Sequence, residues 1–243
     1  IMGSRSGTND GDGQSVLAIV DDWYQVTALL LVVAAMFAVR MQSYSNFIRD
    51  AAVFFSGNDA WYHFRETTYI VENWPSTMPF DPWTGLPYGT LAGQFGTLYD
   101  QIVATVALII GLGSPTPELV AKILLIAPAL AGALAAIPVY IIGRRLSGRI
   151  AGLFGAVVLL LLPGSFLSRT LAGTADHNAI EPLVMALAVA GFVIAFQRAE
   201  RTMPVWEVVR EELVENRALD TLEEPLKWSL LAGFFTGIYL WVW

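Results

Sequence analysis

Cysteine is absent from this chain of 243 residues. Disulfide bonds and thiolate metal sites are therefore excluded, and any bound metal has to be held by oxygen atoms or imidazole nitrogens. Charged residues are also scarce, at 14% of the sequence, whereas hydrophobic residues make up 55%. This balance lies well outside that of ordinary soluble domains and predicts a membrane protein.

Basic residues, and lysine above all, are rarer than acidic ones. The chain has 21 aspartates and glutamates against 14 lysines and arginines, and Lys122 and Lys227 are its only lysines. Such an acidic surface disfavours nucleic acid as a partner.

The two ends of the chain differ in composition. Residues 3–13 are rich in Gly, Ser, Asp and Asn, and we expect residues 1–22 to form a disordered tail. The first apolar segment lacks a basic leader and a small-residue cleavage site, so no cleavable signal peptide is expected. The last sixteen residues are an apolar run that stops at Trp243, and we expect an N-terminal fragment whose C-terminal remainder is missing.

The apolar segments predict an all-α fold, a polytopic helical membrane bundle with a long external loop that contains helices. A spanning helix needs about 20 apolar residues, and Leu98–Gly113, with Asp100 inside it, is the weakest candidate. We predict this segment to be an external helix that packs on the membrane or dips into it. The predicted spans are residues 23–41, 119–143, 150–167, 179–196 and 228–243.

Arginine placement predicts the orientation of these spans. One cluster of arginines lies between the spans at 119–143 and 150–167, and another follows residue 196, so both connections should be cytoplasmic. Residues 42–117 then form an external loop and residues 197–226 a cytoplasmic one. Within the latter, VWEVVREELVEN is amphipathic at helical spacing and is interpreted as a connector helix.

The external loop has two parts of different character. Asn58–Glu72 is predicted to be a helix, because apolar residues recur along it at helical spacing. The following run, NWPSTMPFDPWTGLPYGT, contains repeated Pro and Gly, which exclude a continuous helix.

Two polar segments interrupt the apolar sequence. The first, GNDAWYHFR, spans Gly57–Arg65, and the second, SRTLAGTADHNAIE, spans Ser168–Glu181; both are predicted on the external face. Ionisable groups at membrane depth or at its edge are costly and indicate a functional site by default. We therefore predict that the two polar segments meet.

The ionisable residues of these segments allow structural interpretations. Asn58 or Asp59 could cap the helix that follows, and Asp176 could cap the span that begins near Ala179, with Glu181 in its first turn. His63, one helical turn after Asp59, could share a metal with it or hydrogen-bond its carboxylate.

The same residues could instead form a metal site. Two carboxylates, an amide oxygen and no sulfur suit a hard divalent ion such as Mg²⁺ or Mn²⁺. The combination on one predicted face favours such chemistry, although spacing alone leaves both interpretations open. The residues concerned are Asp59, Asp176, Glu181, His177 and Arg169.

Both polar segments resemble the two aspartate motifs of oligosaccharyltransferase catalytic subunits, membrane enzymes of the GT-C type that transfer a lipid-linked glycan to asparagine in Asn-X-Ser/Thr sequons. The similarity runs from about Trp23 to Trp243 and includes the Ser-Arg pair seven residues before Asp176. It points to the archaeal branch, and the acid excess with few lysines resembles proteins of salt-loving archaea.

The resemblance implies roles for individual residues. Asp59 and Asp176 would ligate the metal, Mn²⁺ or Mg²⁺. The third ligand position, two residues after Asp176, is commonly histidine in archaeal relatives but is Asn178 here. Arg169 would steady an acidic ligand or a substrate phosphate, which gives Asp59, Asp176 and Arg169 as the catalytic residues.

The resemblance also implies substrate contacts and partners. His63, His177 and Glu181 are expected to contact substrate. The expected partners are a polyprenyl (dolichyl) phosphate-linked glycan, an acceptor polypeptide with an Asn-X-Ser/Thr sequon, and the lipid bilayer. The site would lie on the external face of a multi-pass protein of the cell membrane, and the chain is not expected to be active alone.

Two other functions fit the sequence less well. Another polyprenyl-phosphate-sugar glycosyltransferase, acting on lipid or on serine and threonine, would also place acids in the first external loop, but it fits ADHN after a Ser-Arg pair poorly. An ion-coupled transporter would use the acids to bind cations or protons, but the sequence shows neither midplane helix breaks nor inverted repeats. A structural scaffold would leave the paired polar segments unexplained.

Overall fold

The computed structural model describes residues 16–50, 52–55, 57–199, 204, 206–207, 210 and 223–243. In this part of the chain the fold is mainly helical, as predicted. The helices are α1 Val16–Met41, α2 Gly57–Asn73, α3 Leu98–Ile110, α4 Pro117–Leu134, α5 Ala136–Ser147, α6 Arg149–Leu161, α7 Ser165–Arg169, α8 Glu181–Ala199 and α9 Glu223–Val242. Short 3₁₀ helices occupy Tyr44–Phe47, Ala92–Phe95 and His177–Ala179, and the antiparallel strands β1 and β2 occupy Ile48–Arg49 and Ala52–Val53.

Three helical stretches in the described part of the chain are long and apolar enough to cross a membrane: Trp23–Phe47, Pro117–Ser147 and His177–Ala199. The second of these stretches contains both α4 and α5. Helices α3 and α6 are apolar but shorter. The predicted class, a helical membrane protein, is therefore confirmed.

The largest differences between the helix bounds and the predicted spans are at α1 and α6. Helix α1 begins at Val16, inside the predicted tail, of which residues 1–15 lie outside the described part. Within the span predicted at residues 150–167, the helix ends at Leu161. It ends there because Pro163 disfavours the helical conformation of the residue before it.

The predicted cytoplasmic loop lies mostly outside the described residues. Helix α8 extends into it as far as Ala199, and α9 begins at Glu223. The amphipathic segment VWEVVREELVEN is described only at residues 206–207 and 210, so its connector helix stays a prediction.

Small residues let the apolar helices pack closely. Helix α5 packs along α6, and α8 packs along α9. A Cβ atom on Gly152 of α6 would lie 2.6 Å from the carbonyl oxygen of Tyr140, and one on Gly191 of α8 would lie 2.9 Å from the Cβ of Ala232. Large apolar side chains of these helices, such as Phe154, are exposed on the outer surface. Close approach of backbones therefore holds these helix pairs together.

The residues between α1 and α4 form a second layer, in which α2 packs against α3 and both pack against α4. Helix α2 begins and ends within one residue of its predicted bounds. Residues 74–97, all of them described, contain no α-helix, as the Pro and Gly residues predicted. The core that this layer shares with α4 and with the second polar segment comprises Phe55, Ala60, Tyr99, Val103, Ala121, Leu124, Leu125 and Ala175.

The end of α1 anchors the second polar segment. The buried Arg40 donates from Nε to the hydroxyl of Thr170 at 2.9 Å, and its carbonyl oxygen accepts the backbone N–H of Ala172 at 3.0 Å. The hydroxyl of Ser43 donates to the carbonyl of Ala172 at 2.8 Å. These bonds fix the backbone that leads to Asp176.

Candidate active site

The two polar segments meet in the structure. The first begins α2, and the second runs from the end of α7 through the 3₁₀ turn His177–Ala179 into α8. His63 Nε2 lies 3.6 Å from a carboxylate oxygen of Asp176 and 3.4 Å from Nδ1 of His177. The predicted meeting is confirmed, whereas the roles of individual residues stay predictions.

Asp176 is surrounded by donors. Its carboxylate accepts the backbone N–H of Asn178 at 3.2 Å and the side-chain amide of Asn178 at 2.7 Å, and His177 Nδ1 lies 2.8 Å from Oδ1. Burial alone would raise the pKa of Asp176, but hydrogen bonds from His177, His63 and Asn178 outweigh it and hold the pKa well below its usual range. Asp176 is therefore ionised at neutral pH. Its carboxylate also caps the 3₁₀ turn that leads into α8. Capping by Asp176 is one of the two interpretations predicted from the sequence.

His63 is buried and is held by a carboxylate that is not among the site residues predicted from the sequence. Its Nδ1 lies 2.9 and 3.0 Å from the two carboxylate oxygens of Asp100, which is fully buried and accepts a further hydrogen bond from Thr67 at 3.1 Å. Burial opposes protonation of His63, but Asp100 and Asp176 outweigh it and raise the pKa to about 10. His63 thus pairs with Asp100 rather than with Asp59, the partner that helical spacing suggested.

One signal in the sequence could have identified Asp100. It is an ionisable residue inside an apolar helix, and such residues are normally paired or functional. Its partner depends on how α3 packs on α2, which local sequence does not determine.

Asp59 is exposed in the first turn of α2. Because α2 begins at Gly57, Asp59 lies inside the helix rather than at the capping position. It lines a cavity of about 170 Å³ together with Arg169 and Asp176. Asp59 also lines a larger cavity of about 580 Å³, the main cavity, together with His63 and His177.

One group of three potential metal-ligating side chains converges among the described residues. These are His63, Asp176 and His177, whose ligand atoms all lie within 4.8 Å of one another. A carboxylate and two imidazoles can hold a divalent transition-metal ion. Of the three, Asp176 is predicted from the sequence to be a metal ligand, and the two histidines are predicted to contact substrate.

The other predicted residues surround this group. Arg169 ends α7 and is exposed beside the smaller cavity. A carboxylate oxygen of Glu181 lies 3.8 Å from Nε2 of His177 and has no hydrogen-bond partner among the described residues. Asn178 is bound to Asp176 through its amide nitrogen. The structure therefore brings all the predicted site residues into one region.

Comparison of the sequence with protein families and with curated proteins gives clear matches. The family model described as oligosaccharyl transferase STT3, N-terminal, matches residues 26–243. The dolichyl-monophosphooligosaccharide–protein glycotransferase AglB of Haloferax volcanii is 58% identical over 229 residues, which cover 94% of this chain and 21% of that protein. The chain thus spans about a fifth of the length of this relative.

Solved structures share the fold. The archaeal oligosaccharyltransferase AglB from Archaeoglobus fulgidus, in complex with an inhibitory peptide and a dolichol-phosphate, aligns with a TM-score of 0.75 at 25% identity, over 92% of this chain and 24% of that chain. An Archaeoglobus fulgidus oligosaccharyltransferase in complex with Zn and sulfate aligns with a TM-score of 0.72 at 26% identity, over 89% of this chain and 25% of that chain. These alignments support the helical membrane fold expected from the resemblance.

Proposed function

Because the chain belongs to the oligosaccharyl transferase STT3 family, whose N-terminal model it matches over residues 26–243, we propose that it is part of a glycosyltransferase. The proposed enzyme transfers an oligosaccharide from a polyprenyl (dolichyl) phosphate carrier to asparagine in Asn-X-Ser/Thr sequons. The observation that carries the proposal is the contact of the two polar segments through His63 and Asp176.

The proposed site holds a divalent metal ion, Mn²⁺ or Mg²⁺. Asp59 and Asp176 are the proposed ligands, with Asn178 as a third, and the shared cavity and the ionised state of Asp176 support this assignment. His177, whose Nδ1 lies 2.8 Å from a carboxylate oxygen of Asp176, offers an imidazole nitrogen as a further donor. When bound, the ion stabilises negative charge on the phosphate leaving group as a Lewis acid.

Two exposed side chains have separate proposed roles in the reaction. Arg169 contacts the carrier phosphate through charge-assisted hydrogen bonds. Asp59 accepts hydrogen bonds from the acceptor amide, whose nitrogen is otherwise unreactive because its lone pair is delocalised. Since both residues line the smaller cavity, the phosphate and the acceptor amide can meet there.

The remaining site residues act around Asp176. His177 and Glu181 are partly exposed beside it and are proposed to contact substrate. His63 also lines the main cavity, but it is buried and faces a carboxylate on each side. We assign His63 mainly to orienting Asp176, with any substrate contact limited to its Nε2 edge.

The proposed site lies on the external face of a multi-pass protein of the cell membrane. Arg144, Arg145 and Arg149 flank the connection between α5 and α6, and the positive-inside rule favours a cytoplasmic location for them. The predicted spans then place α2 and the second polar segment outside.

The test is transfer of glycan to a sequon peptide by the full-length protein. Replacing Asp59 or Asp176 by alanine should lower the rate of transfer by about 100-fold or more at an unchanged protein level, because each change removes a carboxylate from the reacting centre. Glu118→Ala, which removes an exposed carboxylate at the start of α4, serves as the control and should transfer normally. Normal transfer by both aspartate variants would reject the assigned site.

A further inference from the structure

A closed loop at the main cavity carries exposed apolar side chains. Residues 81–90 begin and end in a backbone pair in which Asp81 and Thr90 exchange hydrogen bonds of 2.9 and 3.0 Å. Trp83 and Leu86 within this loop are each 66% exposed, and both line the main cavity. Apolar groups presented to solvent in this way mark contact sites for ligands or partners.

A buried carboxylate attaches the loop to α2. Asp81 is fully buried and accepts hydrogen bonds from Arg65 Nε at 3.2 Å, Arg65 Nη2 at 2.5 Å, the Thr84 hydroxyl at 2.6 Å and the Trp83 backbone N–H at 3.0 Å. Burial alone would raise the pKa of Asp81, but the hydrogen bonds from Arg65, Thr84 and Trp83 outweigh it and lower the pKa. The carboxylate therefore stays charged and keeps all of these donors at neutral pH.

Two further features hold the loop in place. Tyr62 of α2 donates its hydroxyl to the carbonyl of Ala92, just beyond the loop, at 2.7 Å. Gly89 has a φ of +71°, and a Cβ there would lie 2.2 Å from the ring of Phe80. The backbone thus presents Trp83 in a fixed position before any ligand arrives, which lowers the entropic cost of binding.

The lining of the main cavity combines aromatic faces with hydrogen-bonding groups. Trp61 of α2 lines it together with Trp83, and Asn58, Asp59 and Arg65 supply donors and acceptors. A sugar ring has an apolar C–H face, which packs on an indole, and a rim of hydroxyl groups, which need such polar partners. The volume of about 580 Å³ lies within the range of about 300–1,000 Å³ that is typical of small-ligand sites.

We propose that the main cavity binds a sugar residue of the transferred glycan, with Trp83 as the surface on which the ring stacks. This inference rests on the proposed function, since it takes the glycan donor as the ligand. Asp59 and His177 line the same cavity, so a sugar on Trp83 lies beside the candidate metal site. An apolar side chain of the acceptor polypeptide would fit less well, because it would displace water from the polar side chains of Asn58 and Asp59 without offering them hydrogen bonds.

Steady-state kinetics of the full-length protein test the proposal. Trp83→Ala should raise KM for the lipid-linked glycan by about fivefold or more, because the stacking contact is lost. KM for the sequon peptide should stay within about twofold of the wild-type value, because the acceptor does not touch Trp83. Trp83→Phe keeps an aromatic face and should retain most of the donor affinity.

Trp74→Ala is the matched control. Trp74 is also exposed and donates from its indole N–H to Thr105, but it is not among the described residues that line the main cavity. Its removal should leave both KM values unchanged. An unchanged donor KM in Trp83→Ala would overturn the proposal, and a rise confined to the peptide KM would also do so, because it would place the polypeptide in the cavity.

A binding measurement separates this proposal from the proposed function. Saturation-transfer NMR with the glycan released from its carrier should show contact with the wild-type protein and a clear loss of signal in Trp83→Ala. If the wild-type protein binds the glycan but transfers none to peptide, the proposed function fails and the sugar site stands. If the wild-type protein transfers glycan while Trp83→Ala binds it normally, the sugar site fails and the proposed function stands.

Discussion

The two layers of this protein are stabilised by opposite kinds of contact. In the apolar helices that pack beside α4, glycines such as Gly152 and Gly191 allow close approach, and large apolar side chains lie on the outside. In the layer formed by α2, α3 and the loop of residues 81–90, the buried carboxylates of Asp81 and Asp100 pair with basic side chains. His63 binds Asp100 there, and Arg65 binds the fully buried Asp81.

This difference follows from the surroundings of each layer. Lipid provides no hydrophobic driving force between helices, so close backbone packing has to stabilise them. A buried charge, by contrast, is tolerated only when a partner compensates for lost hydration. The apolar helices therefore set where the two polar segments lie, whereas the polar layer sets how the site's side chains are oriented.

Among the changes that test this difference between the two layers, Asp100→Asn should have the largest effect, a loss of Mn²⁺ affinity. The change removes the buried counter-charge of His63, which in turn contacts Asp176. Loss of a group that orients a ligand typically lowers metal affinity by about 10–100-fold, and we expect a loss of that size for Mn²⁺. Titration of the full-length protein followed by Mn²⁺ EPR measures it.

The control for this experiment is Glu118→Gln, which neutralises an exposed carboxylate on α4 and should bind Mn²⁺ as the wild-type protein does. An unchanged affinity in Asp100→Asn would show that the buried pair does not orient the site.

Gly152→Ala tests the other layer. Because the added Cβ would lie 2.6 Å from the carbonyl oxygen of Tyr140, α5 and α6 have to separate, and we expect a loss of about 1–3 kcal/mol in the free energy of unfolding. Gly237→Ala in α9 is the matched control, since nothing lies within 4 Å of its Cβ position. The unfolding midpoints in detergent measure both. Loss of Mn²⁺ affinity in Gly152→Ala as large as in Asp100→Asn would show that the layers are not independent.

Glu66→Gln should have the smallest effect, visible as a change with pH. Glu66 is fully buried in α2; one carboxylate oxygen accepts the backbone N–H of Met78 at 2.9 Å, and the other has no partner among the described residues. Burial raises the pKa of its carboxyl from 4.5 to about 7. The folded state therefore holds this proton more tightly than the unfolded state, and the wild-type protein loses stability as the pH rises from 4.5 to about 7.

Glutamine removes this loss. Relative to the wild-type protein, Glu66→Gln should gain about 1–2 kcal/mol of stability between about pH 4 and pH 8, as measured by unfolding midpoints across that range. Glu72→Gln, an exposed position on the same helix, should show no such gain. A pH-independent difference between Glu66→Gln and the wild-type protein would contradict the assigned titration.

Several features of the site follow from sequence alone. The bounds of α2 come from the spacing of apolar residues, which depends only on the helical repeat. The absence of an α-helix in residues 74–97 follows from proline and glycine, whose backbone preferences are local. The two polar segments stand out because ionisable groups are rare in the apolar sequence around them.

The pairing of side chains was decided only by the tertiary structure. Local spacing offered Asp59 as the partner of His63, but the observed partner is Asp100, which lies 37 residues further along the chain. The binding of Arg65 to Asp81, which holds Trp83 at the main cavity, was likewise not anticipated. Composition and helical repeat depend on residues that are near one another in the sequence. The partner of a buried charge depends instead on which distant elements pack together and bring a second polar group within hydrogen-bonding distance.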